Sequence, residues 1–244
     1  MFRYADELLG RFPTIRAGVV LVSGAENGPA DAALQREFEA EQRAVATDLA
    51  GTASLADLPS LAAWRRVFSG FGVSPTKYRN AAEALLRRLQ KKGDIPPVST
   101  LVDVGNLVSI RHAVPVAVID ADRVGPPVTV RTASGDELFD DLGGPAPNGA
   151  EDGAAGAHPE PGEVVFVDAD GVVAARRWCW RQSHASAVGP GTSRALIVAE
   201  AHHDDAAAAV AAAVDSFVAL FAAHLPKATV ATALLGPDRP AFAP

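Results

Sequence analysis

Hydrophobic and polar positions along this chain follow two rhythms, and each change of rhythm marks an element. Thr14 to Gly24 (TIRAGVVLVSG) is rich in β-branched residues and closed by glycine, which predicts a strand. Pro29 to Leu49 predicts a polar, charged helix. Leu58 to Gly72 predicts another, entered through Asp57 or Ser60 and stopped by Gly70 and Gly72. The clearest helical period lies between Arg79 and Lys92. There Ala82, Leu85, Leu86 and Leu89 form one apolar stripe, and Arg87, Arg88, Lys91 and Lys92 lie off it. Glu83 stands four residues before Arg87, the spacing of a helical ion pair, and Gly93 closes the helix. Pro96 and Pro97 make an extended link, after which Ser99 can cap a helix from Thr100 to His112.

The second half reads mostly as strands. VPVAVIDADRV and PPVTVRTA predict two strands joined by a turn near Gly125. From 143 to 162 a Gly/Pro/Ala stretch predicts a mobile loop. EVVFVDADGVVAARRW predicts a hairpin about Asp170-Gly171. Ala195 to Ala201 predicts a strand, Asp204 can cap a helix up to His224, and ATVATALL predicts a last strand. Helices and strands interleave without a regular βαβ beat, so the fold class is α+β, with mixed or antiparallel sheets and packed helices. Residues 1–244 read as a single domain.

Composition adds bounds to this picture. Hydrophobic residues make up 48% of the 244, enough for a substantial core. The single cysteine, Cys179, excludes an internal disulfide and a multi-thiolate zinc site, and fits a cytoplasmic protein. Asp6 and Glu7 interrupt the N-terminus where the apolar core of a signal peptide would begin. The long apolar run, Ala206 to Ala223, is mostly alanine and contains Asp215, so it reads as a buried helix, and no membrane partner is expected.

Net charge is −7, which argues against indiscriminate coating of nucleic acid. The charge is uneven, however. Arg65, Arg66, Lys77, Arg79, Arg87, Arg88, Lys91 and Lys92 face a single acid, Glu83, in one stretch. They form either a solvated helix surface or a surface that steers a polyanion. Neither standard Gly-rich phosphate loop is present, nor an HExxH helix or a GxSxG elbow, so no cofactor and no metal are expected. His202, His203, Asp204 and Asp205 resemble a metal cluster, but neighbouring residues point in different directions, and a helix cap is the better reading. Asp103 and Asn106 in VDVGN are three apart on a helix and share a face. They are either solvent-facing or a polar rim that orients a ligand. In RRWCWRQSHAS, read as a strand, Trp178 and Trp180 share one side, while Arg177, Cys179 and Arg181 share the other. This is either a core strand with a cationic outer side or a surface that receives a nucleotide. His184 follows Ser183, but no carboxylate is placed to orient it, which argues against a hydrolase triad.

A larger pattern connects these pieces. Ser74-Pro75, Arg87-Arg88-Leu89, Gly93, Pro96, Val102-Asp103 with Asn106, Pro115 and Asp120 occur in the order and spacing of the B-three/four (B3/4) domain of the phenylalanyl-tRNA synthetase beta subunit. A second block, Asp170-Gly171 followed by Ser186, Val188 and Thr192, is similar too, and the resemblance spans about Ala63 to Glu200. It implies an α+β domain whose pocket takes the aminoacylated acceptor end of tRNA, and a trans-acting deacylase of mischarged aminoacyl-tRNA. Without the synthetase's other modules, ligase activity is not expected. On this resemblance Asn106 orients substrate, His184 positions water or acts as a base, and Arg79 and Arg181 hold phosphate or carbonyl oxygen. Asp103, Ala117, Gln182, Ser183, Ser186 and Thr192 complete the substrate site, and the basic stretch from Arg65 to Lys92 contacts nucleic acid. Ala117 stands where the family has a pocket histidine, and His184 near the place of a pocket glutamate. The family's tyrosine specificity is therefore not carried over, and a non-catalytic binder of tRNA or of an amino acid-like molecule is the alternative.

Overall fold

The computed structural model describes residues 1–142 and 158–244. The loop expected over 143–162 lies, as far as residue 157, outside the described residues. The chain order is β1 (Phe2–Tyr4), α1 (Asp6–Arg11), β2 (Arg16–Ser23), α2 (Ala32–Leu49), α3 (Pro59–Gly70), α4 (Ala81–Lys92), α5 (Thr100–His112), β3 (Val116–Asp120), β4 (Val128–Thr132), β5 (Val164–Val167), β6 (Val173–Arg176), β7 (Arg181–Gln182), β8 (Arg194–Ala201), α6 (Ala206–His224), β9 (Thr229–Leu235) and β10 (Ala241–Phe242). The class is α+β, as the interleaving of elements predicts.

Two sheets carry the architecture. One is four-stranded and antiparallel, in the order β3-β8-β2-β9. The other is six-stranded and mixed, in the order β10-β1-β4-β5-β6-β7, with β1 parallel to β4. β3 and β4 follow one another in sequence but belong to different sheets, so the turn near Gly125 carries the chain between layers rather than closing a hairpin. β5 and β6 do form the hairpin expected about Gly171, which has φ of 82°.

Both faces of the four-stranded sheet are buried, and the period of two sorts their side chains. Val20 and Val22 of β2, with Ala195, Ile197 and Ala199 of β8, meet α2, α4, α5 and α6 on one side. Val19 and Leu21, with Leu196 and Val198, meet Phe2, Val128 and Phe166 of the other sheet and Trp64 and Phe68 of α3. Helix α6 lies directly on β2. A Cβ on Gly18 would come within 2.5 Å of Val214 Cγ2 and 3.0 Å of the Val210 carbonyl, so only glycine permits this approach. The apolar run Ala206–His224 thus buries Val210, Ala213, Val214, Phe217 and Phe221 against the protein itself.

Several local expectations change. Helix α3 begins with Pro59 at its first position and has no side-chain cap, so neither Asp57 nor Ser60 serves as one. Asp205 rather than Asp204 stands at the N-cap of α6, also without a side-chain hydrogen bond. Helix α4 is capped by Asn80, whose side chain accepts from the Glu83 amide at 2.9 Å, and Gly93 ends it with φ of 79°. The segment after β6 is not a continuous strand. Arg177 and Trp178 are left-handed, with φ of 46° and 62°, so the two-residue alternation breaks there. Trp178 turns inward, edge-on to Trp64 at 5.3 Å and His202 at 5.2 Å, while Trp180 faces Tyr78 and the arginines. The two tryptophans therefore do not share a face.

Candidate functional site

The stripe of α4 that packs inward leaves its basic positions on a common outer side. Arg87, Arg88, Lys91 and Lys92, together with Lys77 and Arg79 from the approach to the helix, line a groove of about 470 Å³. Its far wall is Trp180 and Arg181. The groove is braced by cations on rings. The Arg177 guanidinium lies 3.9 Å from the Tyr78 centroid and 4.6 Å from that of Trp180, and Arg181 lies 4.7 Å from the latter. Tyr78 meets Trp180 edge-on at 4.9 Å. Such contacts hold flexible cationic side chains in fixed directions.

Glu83 moderates this charge from below. It is 1% exposed and receives Arg65 at 3.0 Å and Arg87 at 2.9 Å, with Arg79 at 3.8 Å. The expected pairing of Glu83 with Arg87 is thus one arm of a larger cluster. Arg65 also donates to the Pro75 carbonyl at 3.2 Å, so it fastens α3 to the loop before α4 and does not line the groove. Arg66 is exposed on α3, also outside the groove lining.

A small cavity of about 80 Å³ adjoins the groove, sharing Trp180 and Arg181 with it. Val116 and Ala117 of β3 form one wall, Ala175, Cys179 and Gln182 another, and Glu200 of β8 also lines it. Glu200 is 2% exposed. Its Oε1 accepts from the Tyr4 hydroxyl at 2.5 Å and from Trp178 Nε1 at 2.9 Å, and no hydrogen bond to Oε2 is made among the described residues. Burial raises its carboxyl from the ordinary range to about 7, and the two donors only partly offset that effect. The cavity thus holds a carboxyl group able to exist in either protonation state near neutral pH.

Arg181, Ala117 and Gln182 are brought together here, and Arg79 lies in the adjoining groove. The other expected site residues are distributed elsewhere. Asn106 is half-buried on α5 and lines neither space. Asp103 is buried, and its Oδ1 accepts from the Val98 amide at 2.8 Å, fixing the entry to α5. Burial raises its carboxyl, against the hydrogen bonds from Val98 and Ser99. His184 is exposed on a short turn after β7 and lines neither space. Ser183 and Ser186 are fully buried. Ser183 Oγ accepts from the Ala185 amide at 3.1 Å, and Ser186 Oγ donates to the Ala174 carbonyl at 3.0 Å. Thr192 donates to Asp120 Oδ2 at 2.5 Å. These hydroxyls tie the turn to the sheets. Gln182 lines the cavity, yet its amide donates to the carbonyls of Val118 at 2.8 Å and Ser186 at 3.2 Å, which ties β7 to β3. Arg181 pairs with Asp141.

Glu200 is the group that sequence reasoning missed. Its one signal is being the only charged residue within ALIVAEA, a strand otherwise apolar. His202, two residues on, sits among Trp64, Trp178 and Phe12, with Thr14 Oγ1 3.0 Å from its Nδ1. It does not converge with His203, Asp204 and Asp205, and among the described residues no three His, Cys, Asp or Glu side chains gather as a metal site would require.

Comparison with known proteins bears on this arrangement. No curated protein matches the chain. Among solved structures, an N-terminal fragment of the phenylalanyl-tRNA synthetase beta-subunit from Pyrococcus horikoshii is similar, with 14% identity and a TM-score of 0.40. The match covers 53% of this chain and 40% of that one. Residues 63–216, more than half of the chain, match the family model of the B3/4 domain. That span runs from α3 to α6 and takes in the basic groove and the cavity lining, and on this match the chain belongs to the B3/4 domain family.

Proposed function

We propose that this protein binds the aminoacylated acceptor end of tRNA and hydrolyses the ester of a mischarged aminoacyl group, as a trans-acting deacylase in the cytoplasm. The observation that carries this reading is the junction of groove and cavity at Trp180 and Arg181. Lys77, Arg79, Arg87, Arg88, Lys91 and Lys92 supply the positive potential that a phosphodiester backbone requires. The cavity beside them is of a size for a short acyl group rather than for a base. Hydrolysis of an activated ester needs little beyond a positioned water and a stabilised oxyanion. Arg181 at the junction would neutralise the developing oxyanion, and Glu200, near its half-protonated point at neutral pH, would hold a donor on the aminoacyl group or a water.

A second reading is a binder of the same ligand without turnover. The positions of Asn106 and His184 favour it, because neither of the two residues expected to do chemistry lines the cavity. Incubation with a panel of mischarged tRNAs separates the two, since release of the amino acid supports the deacylase and tight binding without release supports the binder. In either case, Lys91→Ala with Lys92→Ala should weaken tRNA binding and reduce the slope of log affinity against log salt by about 1 for each lost phosphate contact. An unchanged affinity and slope would remove the groove from the account.

A further inference from the structure

The dimensions and walls of the cavity specify more than its position does. Its volume is about 80 Å³. A cavity of about 150 Å³ is known to accept benzene, so this one is too small for an aromatic side chain unless a wall retreats. The walls are braced against retreat. Val116 and Ala117 belong to β3, and α5 is pressed against that strand at Gly105. A Cβ on Gly105 would stand 2.7 Å from Val118 Cγ2 and 3.6 Å from Val116 Cγ1, so no slack remains behind β3. The Arg177 and Arg181 guanidinium groups both lie against the Trp180 ring, which also abuts Tyr78, and these contacts oppose its rotation. Glu200 is fixed through Oε1 by Tyr4 and Trp178. The Gln182 amide nitrogen donates to two backbone carbonyls and has no proton to spare for Glu200, so Glu200 Oε2 can accept from a donor on the ligand.

Building on the aminoacyl-tRNA reading above, we infer that the cavity selects small aminoacyl groups of alanyl or seryl size, with Glu200 accepting from their ammonium or hydroxyl, and excludes phenylalanyl and tyrosyl groups. Selection here rests on exclusion. A methyl or hydroxymethyl group fits the space, whereas a ring meets Trp180 and the β3 backbone at Ala117, neither of which can move without disturbing packed neighbours. Wall contacts that differ by one or two carbon atoms commonly discriminate ten- to two-hundredfold.

The test uses one tRNA body charged in turn with alanine, serine, phenylalanine and tyrosine, and the full-length chain. Ester release and equilibrium binding are both measured against the uncharged body. The inference expects the alanyl and seryl forms to be released, or bound where no release occurs, at least about tenfold better than the aromatic forms. Trp180→Ala, which removes one wall of the space, should admit the phenylalanyl form. Ala117→Leu, which fills the space, should erase the advantage of the small forms, with retention of the fold checked by its thermal midpoint. Aromatic forms handled as well as small ones would overturn the size selection and leave the aminoacyl-tRNA reading standing. Four charged forms bound no better than the uncharged body, and none released, would overturn both.

Discussion

Glu200 and His202 are two residues apart on the same side of the chain's chemistry, yet burial moves them in opposite senses. Burial raises the Glu200 carboxyl to about 7, and burial, with Arg16 and His203 nearby, lowers the His202 imidazole to about 3. For Glu200 the native state holds its proton more tightly than the unfolded chain. Its contribution to stability is full below about pH 4.5 and is lost as pH rises toward 7. For His202 the unfolded chain binds the proton more tightly, so its contribution is present above about pH 6.5 and is lost as pH falls toward 3. Glu200→Gln keeps an acceptor for Tyr4 and Trp178 while removing the titration. The variant should match the wild type at pH 4 and exceed it by on the order of 3 kcal/mol at pH 8, as read from urea unfolding. A difference that does not change with pH would contradict the buried, ionisable Glu200 described here. Neither residue's role was legible in the sequence. Glu200 reads only as an odd acid in an apolar strand, and His202 as one of a run of possible ligands. Their environments come from Tyr4, Trp64 and Trp178, which reach them across large sequence separations.

At the scale of elements, the parts dominated by local periodicity were readable. Helix α4 follows from its apolar stripe, with Leu85 only half-buried, and its Gly93 stop follows from the need for positive φ. Strand β2 follows from its β-branched run and β8 from its short apolar one. Strands β1 and β10, with three and two residues, carry too few positions for a period and depend on pairing with each other and with β4. The turn from Arg177 to Trp180 was misread because RRWCW has no glycine to announce its left-handed residues. Asn80→Ala should remove the buried cap of α4 and lower stability by about 1 kcal/mol. Gly105→Val should cost more, about 1–3 kcal/mol, because α5 must lift from β3. Thermal or urea unfolding checks both, and equal effects would mean that the α5–β3 contact is looser than described.

For the whole molecule, the central feature is a local basic groove on a protein of net charge −7. The basic stretch was legible in sequence, and most of it does line one groove. Its division was not legible, since Arg65 turns to the buried Glu83 and Arg66 lies apart from the groove. The family was legible from spaced prolines, glycines and Asp103, residues that shape the backbone and so recur as a pattern. The cavity was not, because its lining is assembled from β3, the Cys179–Gln182 segment and β8. Cys179 is the only thiol in the chain and it lines that cavity, where burial and then Glu200 raise it well above the ordinary thiol range, so its slow alkylation reports on how far the cavity opens and whether it is occupied. The most direct measurement compares this rate under saturation with uncharged tRNA and with the same tRNA carrying an amide-linked, non-hydrolysable aminoacyl group. If groove and cavity form one site for the aminoacylated end, the charged tRNA slows Cys179 alkylation at least severalfold relative to the uncharged tRNA. Equal rates with both tRNAs bound would contradict it.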